Sequence, residues 1–235
     1  MDPIELAARY SFMPNKLKYC GPEDADKILF KYVIDKKNKK DVKAILEKFE
    51  ALSLYLKLIG RKNKKSMFDK DVIEAYWIGN SLLENIKEHD IRNLILNDFT
   101  KKGLPKSVAK ELAQNIPKNV TPHHSFHVMH IHSVTGKLKF MFSNIDKCRI
   151  SWGKVIKISS NSLIIKYIPI IIRDKLLLGK PTKKEVRYNK DFLGKINVND
   201  YVTVHWDYAV QRINEEQKNN LEKYTNRNIE AINRI

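Results

Sequence analysis

The sequence predicts an α+β fold, with an all-α N-terminal helical domain, then a small antiparallel β-barrel module of OB-like type, then a C-terminal helix. In the first half, apolar residues recur every three or four positions, which is the spacing of helices that bury one face. Beyond about residue 123, short β-branched and aromatic runs alternate with turn residues, which is typical of strands. After Tyr208 the helical spacing returns. We therefore predict two domains, a helical one at residues 1–118 and a β module with its C-terminal helix at residues 119–235.

Capping residues, glycines and prolines predict where the helices begin and end. Asp2 before Pro3 is a favourable start for the first helix, which we expect to stop before Pro14. Further helices are expected from Pro22, over residues 41–59, from Asp69 or Asp71, from Ser81, after Asp90 and from Pro105.

Six segments of the second half have strand character. They are residues 126–134, 138–142, 153–158, 162–172, 186–188 and 201–206. The turn pairs at residues 135–136 and 160–161 predict hairpins between neighbouring segments.

Composition limits the class of protein. With 43% hydrophobic and 30% charged residues, a globular core is expected. There is no apolar run of about 18 residues and no signal sequence at the N-terminus, so we expect a cytoplasmic location and no membrane partner. In a reducing cytosol the two cysteines, Cys20 and Cys148, should be free thiols.

The net charge of +17 favours acidic proteins or nucleic acid as partners. The basic clusters at residues 36–40 and 61–65 lie between predicted helices and contain no aromatic residues for base stacking. Solvated loops explain these clusters better than a nucleic-acid surface, which stays as an alternative.

Five of the seven histidines lie close together in the sequence. They are His123, His124, His127, His130 and His132. Neutral imidazole is a common ligand for iron, zinc and nickel, so the segment is a candidate metal site. If residues 126–134 form a strand, His130 and His132 share one face with His124. The alternative is a buried strand with hydrogen-bonded histidines.

Cys148 lies between Lys147 and Arg149, whose charges favour the thiolate that binds metal. Cys20 precedes a predicted helix N-terminus, which has the same effect. The alternative for each thiol is burial as a small apolar side chain. Aromatic residues often anchor protein interfaces, and the candidate partner-binding residues are Trp152, Trp206, Tyr208 and Cys20. Core packing is the alternative for the aromatic side chains.

Two segments of the β module carry a resemblance to a known family. Residues 148–155 are CRISWGKV, and residues 198–210 are VNDYVTVHWDYAV. Their order and spacing resemble the HypC/HupF family of [NiFe] hydrogenase maturation chaperones over about residues 148–222. The N-terminal half resembles no family that we recognise.

The resemblance implies a small barrel that handles iron through Cys148 and His205 and is not an enzyme. It also implies a protein partner, either a hydrogenase large-subunit precursor or a maturation scaffold protein. In that family the cysteine follows the initiator methionine and has a free α-amine, whereas Cys148 is internal. We hypothesise that the histidine segment supplies the missing ligands beside Cys148 and His205.

The leading hypothesis is therefore a metalloenzyme assembly factor that binds a protein partner and iron, or else zinc or nickel. No nucleotide cofactor is expected, because the sequence has no glycine-rich phosphate loop. A metal-dependent enzyme that uses the histidine segment at residues 123–132, and a basic nucleic-acid-binding protein, are the alternatives. The leading hypothesis requires the Cys148 thiol and the His205 imidazole to meet on the surface of the β module.

Overall fold

Helices form the first half of the chain and strands lie in the second, so the predicted combination of helix and sheet is confirmed. A computed structural model describes residues 1–139 and 141–234. The helices are α1 (Pro3–Lys16), α2 (Ala25–Asp35), α3 (Lys39–Leu46), α4 (Leu52–Lys62), α5 (Lys70–Trp77), α6 (Glu88–Asn93), α7 (Lys106–Gln114), α8 (His124–Phe126), α9 (Phe142–Cys148), α10 (Lys190–Leu193) and α11 (Glu215–Ile232). The strands are β1 (Ser151–Ile158), β2 (Ser162–Tyr167), β3 (Ile170–Ile172), β4 (Leu176–Leu178), β5 (Thr182–Arg187), β6 (Tyr201–His205) and β7 (Tyr208–Ile213). A 3-10 turn forms at Ser81–Asn85, and π-helical turns follow α6 at Leu94–Phe99 and α8 at His127–Ile131.

Two predicted helix starts are confirmed in detail. The Asp2 carboxylate accepts hydrogen bonds from the backbone N–H groups of Ile4 at 3.0 Å and Glu5 at 3.2 Å. Asp69 accepts one from the N–H of Asp71 in the same way at the start of α5. Each carboxylate satisfies donors that have no partner within the helix.

Other helix boundaries differ from the prediction. α1 continues past Pro14 to Lys16, and α2 begins at Ala25, three residues after Pro22. The segment at residues 41–59 is divided between α3 and α4. Pro14 is tolerated because it lies in the last turn of α1, where only one helical hydrogen bond is lost.

The predicted hairpin of strands at residues 126–134 and 138–142 is wrong. Residues 124–131 are helical, and α9 begins at Phe142. Residues 138, 139 and 141 form no strand, and Phe140 lies outside the described residues. Residues 123–129 are buried throughout, and a segment that is buried on every side cannot be assigned to helix or strand from its spacing.

The strands form a sheet in the order β1-β2-β5-β7-β6, and β6 pairs again with β1. All of these pairs are antiparallel except β5 with β7, which meet in one parallel pair between Arg187 and Tyr208. The predicted return to helix after Tyr208 is too early, because β7 comes before α11. β7 was missed because most of its residues are buried on both faces, which removes the alternation typical of a strand. The β3–β4 hairpin is a separate two-stranded sheet.

The helical half packs directly against this sheet. The Tyr10 hydroxyl on α1 makes hydrogen bonds with Thr203 Oγ1 at 3.0 Å and Gln211 Oε1 at 2.8 Å, on β6 and β7. One cluster of buried apolar side chains extends from Ile4 to Ala231 and includes residues on both sides of position 118. A smaller cluster fills the inside of the sheet and comprises Val155, Leu163, Ile165, Val186, Tyr188, Leu193, Val202, Val204 and Ala209. Among the described residues, no helix combines the length and the apolar character needed to cross a membrane.

The contact between Gly79 and α11 gives a test of the packing. Gly79 has a φ of +96°, and an added Cβ would lie 2.2 Å from Cδ2 of Tyr224. Gly79→Ala should lower the free energy of unfolding by roughly 2–4 kcal/mol, because steric overlap adds to backbone strain. Gly194→Ala is the control, since Gly194 has a φ of +82° and its added Cβ would meet none of the described atoms within 4 Å. Its loss should be about 1 kcal/mol, and equal losses in urea denaturation would contradict the contact.

Candidate metal centre

Two histidines and a cysteine meet where the helical half contacts the sheet. One ring nitrogen of His124, one of His205 and the Sγ of Cys148 lie within 4.8 Å of one another. His124 begins α8, Cys148 ends α9 and His205 ends β6. All three side chains are buried. Since imidazole and thiolate are both ligands of transition metals, this group is a candidate metal centre.

The ring of His205 is oriented by a carbonyl group of α1. A proline has no N–H, so Pro14 leaves the carbonyl of Tyr10, four residues earlier in α1, without its helical donor. His205 Nδ1 lies 2.8 Å from that carbonyl oxygen. A carbonyl can only accept, so Nδ1 carries the proton and Nε2 keeps a free lone pair. A hydrogen bond from the second ring nitrogen to a carbonyl is common for metal-binding histidines.

His124 makes hydrogen bonds through both ring nitrogens. Its Nε2 lies 3.0 Å from the Cys148 carbonyl oxygen and its Nδ1 lies 3.0 Å from the Tyr76 hydroxyl. The Nε2 therefore donates and the Nδ1 accepts from Tyr76. A metal at Nδ1 would displace this one neutral hydrogen bond and leave the buried Tyr76 hydroxyl without it, which costs roughly 1–3 kcal/mol.

Burial determines the protonation states of this group. Burial lowers the pKa of His205 to about 4, although the carbonyls of Tyr10 and Cys148 partly oppose this effect. Burial also lowers the pKa of His124, and the neighbouring His205 lowers it further. Both imidazoles are therefore neutral at pH 7, which is the form that binds metal.

The predicted activation of the Cys148 thiol by its charged neighbours is wrong. Burial raises the pKa of Cys148 to about 12, and the nearby Trp206 side chain partly opposes this effect. The Lys147 ammonium lies 4.0 Å from Asp207, and the Arg149 guanidinium pairs with Asp146 at 3.0 Å. The Arg149 charge is thus neutralised by a carboxylate, whereas Lys147 shares Asp207 with Lys184, which lies 2.6 Å from that carboxylate. The expected surface position is also wrong, because Cys148 and His205 meet below the surface.

A cavity of about 60 Å³ adjoins the three side chains. Its walls also include the second cysteine, Cys20, together with Trp77 and Trp206. Burial raises the pKa of Cys20 well above its usual value, and Cys148 adds to the effect, so the predicted thiolate at Cys20 is wrong as well.

The histidine segment is divided between several environments, so the predicted shared face is wrong. His124, His127 and His132 line the cavity. His123 instead accepts a hydrogen bond from the N–H of Ser125 at the start of α8. His130 faces the carbonyl of Leu112 at 3.1 Å. Residues two positions apart share a face in a strand but point to different sides in a helix. The predicted strand therefore grouped the wrong histidines.

The candidate partner-binding aromatic residues are buried. Trp152 and Tyr208 belong to the core, and Trp206 lies at the cavity wall. Trp206 has a φ of +54°, a strained conformation for a large side chain. Its ring packs on Tyr19 with centroids 4.5 Å apart, which holds it beside the cavity. Trp152 and Tyr208 are therefore core residues, as in the alternative to partner binding.

Sequence reasoning missed the groups that orient the ligands. These are the Tyr10 carbonyl and the Tyr76 hydroxyl. Pro14 inside a helix was the available signal for Tyr10, because it frees the carbonyl four residues earlier. Tyr76 carries no comparable signal.

The whole chain matches one family of sequences. The model of DUF6390, a family of unknown function, matches residues 3–235. The chain belongs to DUF6390. No curated protein and no solved structure matches this DUF6390 chain.

The ligand set of this DUF6390 chain fits a transition metal. Two neutral imidazoles and one thiolate suit zinc, iron or nickel better than magnesium or calcium, which prefer oxygen ligands. Three protein ligands leave a coordination position for a further group, as in catalytic zinc sites. The adjoining cavity provides space for that group.

The buried histidines predict steep acid unfolding of the metal-free protein. Burial lowers the pKa of His123 and His127 to about 3 and that of His205 to about 4. Unfolding restores a pKa near 6.5, so the unfolded chain binds more protons. The stabilisation is complete above about pH 6.5 and decreases as pH falls towards 4, by roughly 1 kcal/mol per pH unit for each histidine.

Circular dichroism across this pH range would measure the effect. His127→Phe should flatten the decrease, whereas His89→Asn, at an exposed side chain, should not. Stability that is constant from pH 6.5 to 4.5 would contradict neutral burial.

The segment at residues 133–139, which has no helix or strand, covers part of the cavity. Lys137 holds it in place through Glu50 at 3.0 Å and the Gly21 carbonyl at 3.3 Å. Breaking this exposed ion pair, by Lys137→Met, should speed alkylation of Cys148 about two- to fivefold. Peptide mapping after timed iodoacetamide treatment distinguishes Cys148 from Cys20. Lys139→Met is the control. Equal rates of Cys148 alkylation in the two variants would show that Lys137 does not hold the segment over the cavity.

Proposed function

We propose that this protein is a metal-handling assembly factor. It binds a transition-metal ion through His124, Cys148 and His205 and delivers the metal to a protein partner during maturation of a metalloenzyme. The observation that carries this proposal is the convergence of three ligand atoms within 4.8 Å from elements far apart in the sequence. His205 Nε2, within this group, is buried without a hydrogen-bond partner among the described residues, which is costly unless it binds something.

The resemblance to HypC/HupF proteins supports the same function. It assigns iron handling to Cys148 and His205, and these two side chains are neighbours here. His124 supplies a nitrogen ligand in place of the α-amine that an internal cysteine lacks. We also propose that the sheet is the small OB-like barrel of that family, with hydrogenase maturation as the process served.

Three protein ligands suit a carrier better than a storage site. A fourth protein ligand would close the coordination shell, as in structural zinc sites. A site left open towards a cavity can exchange its metal with a partner's ligands. Iron is the favoured metal under this proposal, and zinc or nickel has the same ligand preferences.

The net charge of +17 favours an acidic partner surface. A hydrogenase large-subunit precursor or a maturation scaffold protein is the partner to test first. Co-purification with the tagged chain, repeated with Cys148→Ser, would show whether capture depends on the thiol. Binding to nucleic acid with a steep salt dependence would instead favour the nucleic-acid alternative.

A metal-dependent enzyme is the second candidate. The cavity beside the open coordination position favours it, because a substrate could bind there. Turnover by the metal-loaded protein alone, without a partner, would distinguish an enzyme from a carrier.

Titration with cobalt(II) and zinc tests the site itself. Cys148→Ser and His205→Asn should each weaken metal binding by on the order of 100-fold, because each removes one of three ligands. The cobalt complex of the wild type should show thiolate-to-metal charge transfer, and Cys148→Ser should lose it. His130→Asn is the matched control, since His130 faces Leu112 instead of the site. Wild-type affinity in both ligand variants, with folding verified by circular dichroism, would rule out the proposed site.

A further inference from the structure

Unpaired polar atoms collect around the cavity. Ten buried side-chain nitrogen or oxygen atoms of the described residues have no hydrogen-bond partner. Five of them belong to residues that line this one cavity, namely Ser11 Oγ, Trp77 Nε1, His127 Nδ1, His205 Nε2 and Trp206 Nε1. Buried polar groups in folded proteins are nearly always paired, so a cluster of unpaired ones indicates a missing ligand.

The chemistry of these atoms selects the ligand. The indole N–H groups of Trp77 and Trp206 can only donate, the Ser11 hydroxyl can also donate, and His127 Nδ1 donates in one of its two tautomers. The free lone pair of His205 is reserved for the metal. The remaining partners therefore require a ligand with hydrogen-bond acceptors.

Charge balance selects an anion with one negative charge. A divalent metal with the Cys148 thiolate and two neutral imidazoles leaves a net charge of +1 in a buried site. Among the described residues of the cavity wall, Glu50 is the one with a carboxylate, and Lys137 neutralises it. A monoanion makes the buried site neutral, whereas a cation or a dianion leaves a charge that is costly to bury.

The size and the other walls of the cavity select the rest of the molecule. Apolar side chains form much of the wall, among them Pro14, Phe49, Leu52, Val134 and Leu138. One water, which has a single non-hydrogen atom, needs about 10–15 Å³ of cavity volume. The volume of about 60 Å³ therefore holds roughly four to six non-hydrogen atoms. This corresponds to acetate, propionate or butyrate.

We propose that the cavity binds a short-chain monocarboxylate as the exogenous ligand of the metal. One carboxylate oxygen completes the coordination shell, and the other accepts the N–H groups of Trp77 and Trp206. The alkyl chain lies against the apolar wall. This inference rests on the proposed function, because the metal supplies the positive charge. It adds the class of ligand that the carrier holds beside its metal.

Cobalt(II)-loaded full-length protein provides the test, because its visible spectrum reports directly on the ligands. Butyrate and propionate should change the spectrum at millimolar concentration, whereas butanol and butylammonium should not. Hexanoate should bind at least about tenfold more weakly than butyrate, because its chain exceeds the cavity volume. Equal responses to butanol and butyrate, or no response to any carboxylate, would overturn the inference.

Single indole substitutions test the two donors. Trp77→Phe and Trp206→Phe keep an aromatic ring but remove the N–H, and each should weaken butyrate binding about tenfold. Trp152→Phe is the matched control, because Trp152 is buried but does not line the cavity. The cobalt affinity of each variant is measured first, so that a change in the metal site is not mistaken for a change in the carboxylate site.

The outcomes separate the two proposals. If the wild type binds no cobalt, the proposed function fails, and this inference fails with it. If cobalt binds with its thiolate band but carboxylates leave the spectrum unchanged, the carboxylate ligand is wrong and the metal site stands. Unchanged butyrate affinity in both tryptophan variants would also overturn the inference.

Discussion

The hydrogen bond between His205 Nδ1 and the Tyr10 carbonyl connects the two halves of this protein at its candidate site. It joins the first helix to the last residue of β6, across an interval of 195 residues. It also places the ring proton on Nδ1, which leaves Nε2 available to a metal. Pro14 leaves the Tyr10 carbonyl without its helical donor, so the imidazole supplies a hydrogen bond that the helix does not. The fold and the ligand geometry therefore depend on the same contact.

The sequence could predict part of the site. The resemblance to a chaperone family paired Cys148 with His205, and these side chains are indeed adjacent. His124 was only one of five candidate histidines, because the spacing of residues in a segment buried on every side does not show which side chains face the site. The His124 ring is held in place by hydrogen bonds to the Tyr76 hydroxyl on α5 and the Cys148 carbonyl on α9. Such long-range contacts leave no local pattern in the sequence.

The two largest errors have the same physical origin. The sequence predicts a strand at residues 126–134 and an activated surface thiol at Cys148. Both interpretations used local composition, whereas burial determines the outcome. A run that is buried on every side is compatible with a helix and with a strand. For Cys148, burial raises the pKa, and this effect outweighs that of the adjacent charges. By contrast, the capping residues Asp2 and Asp69 were predicted correctly, because a cap acts through neighbouring backbone atoms.

The contact between the first helix and β6 also controls when the site can form during synthesis. A ribosome releases the chain from its N-terminus, so the Tyr10 carbonyl emerges long before the His205 ring that binds it. Contacts between residues so distant in sequence form late in folding. The three ligands therefore come together only when nearly the whole polypeptide has been translated. An unfinished chain therefore lacks both the assembled group of His124, Cys148 and His205 and the cavity beside it.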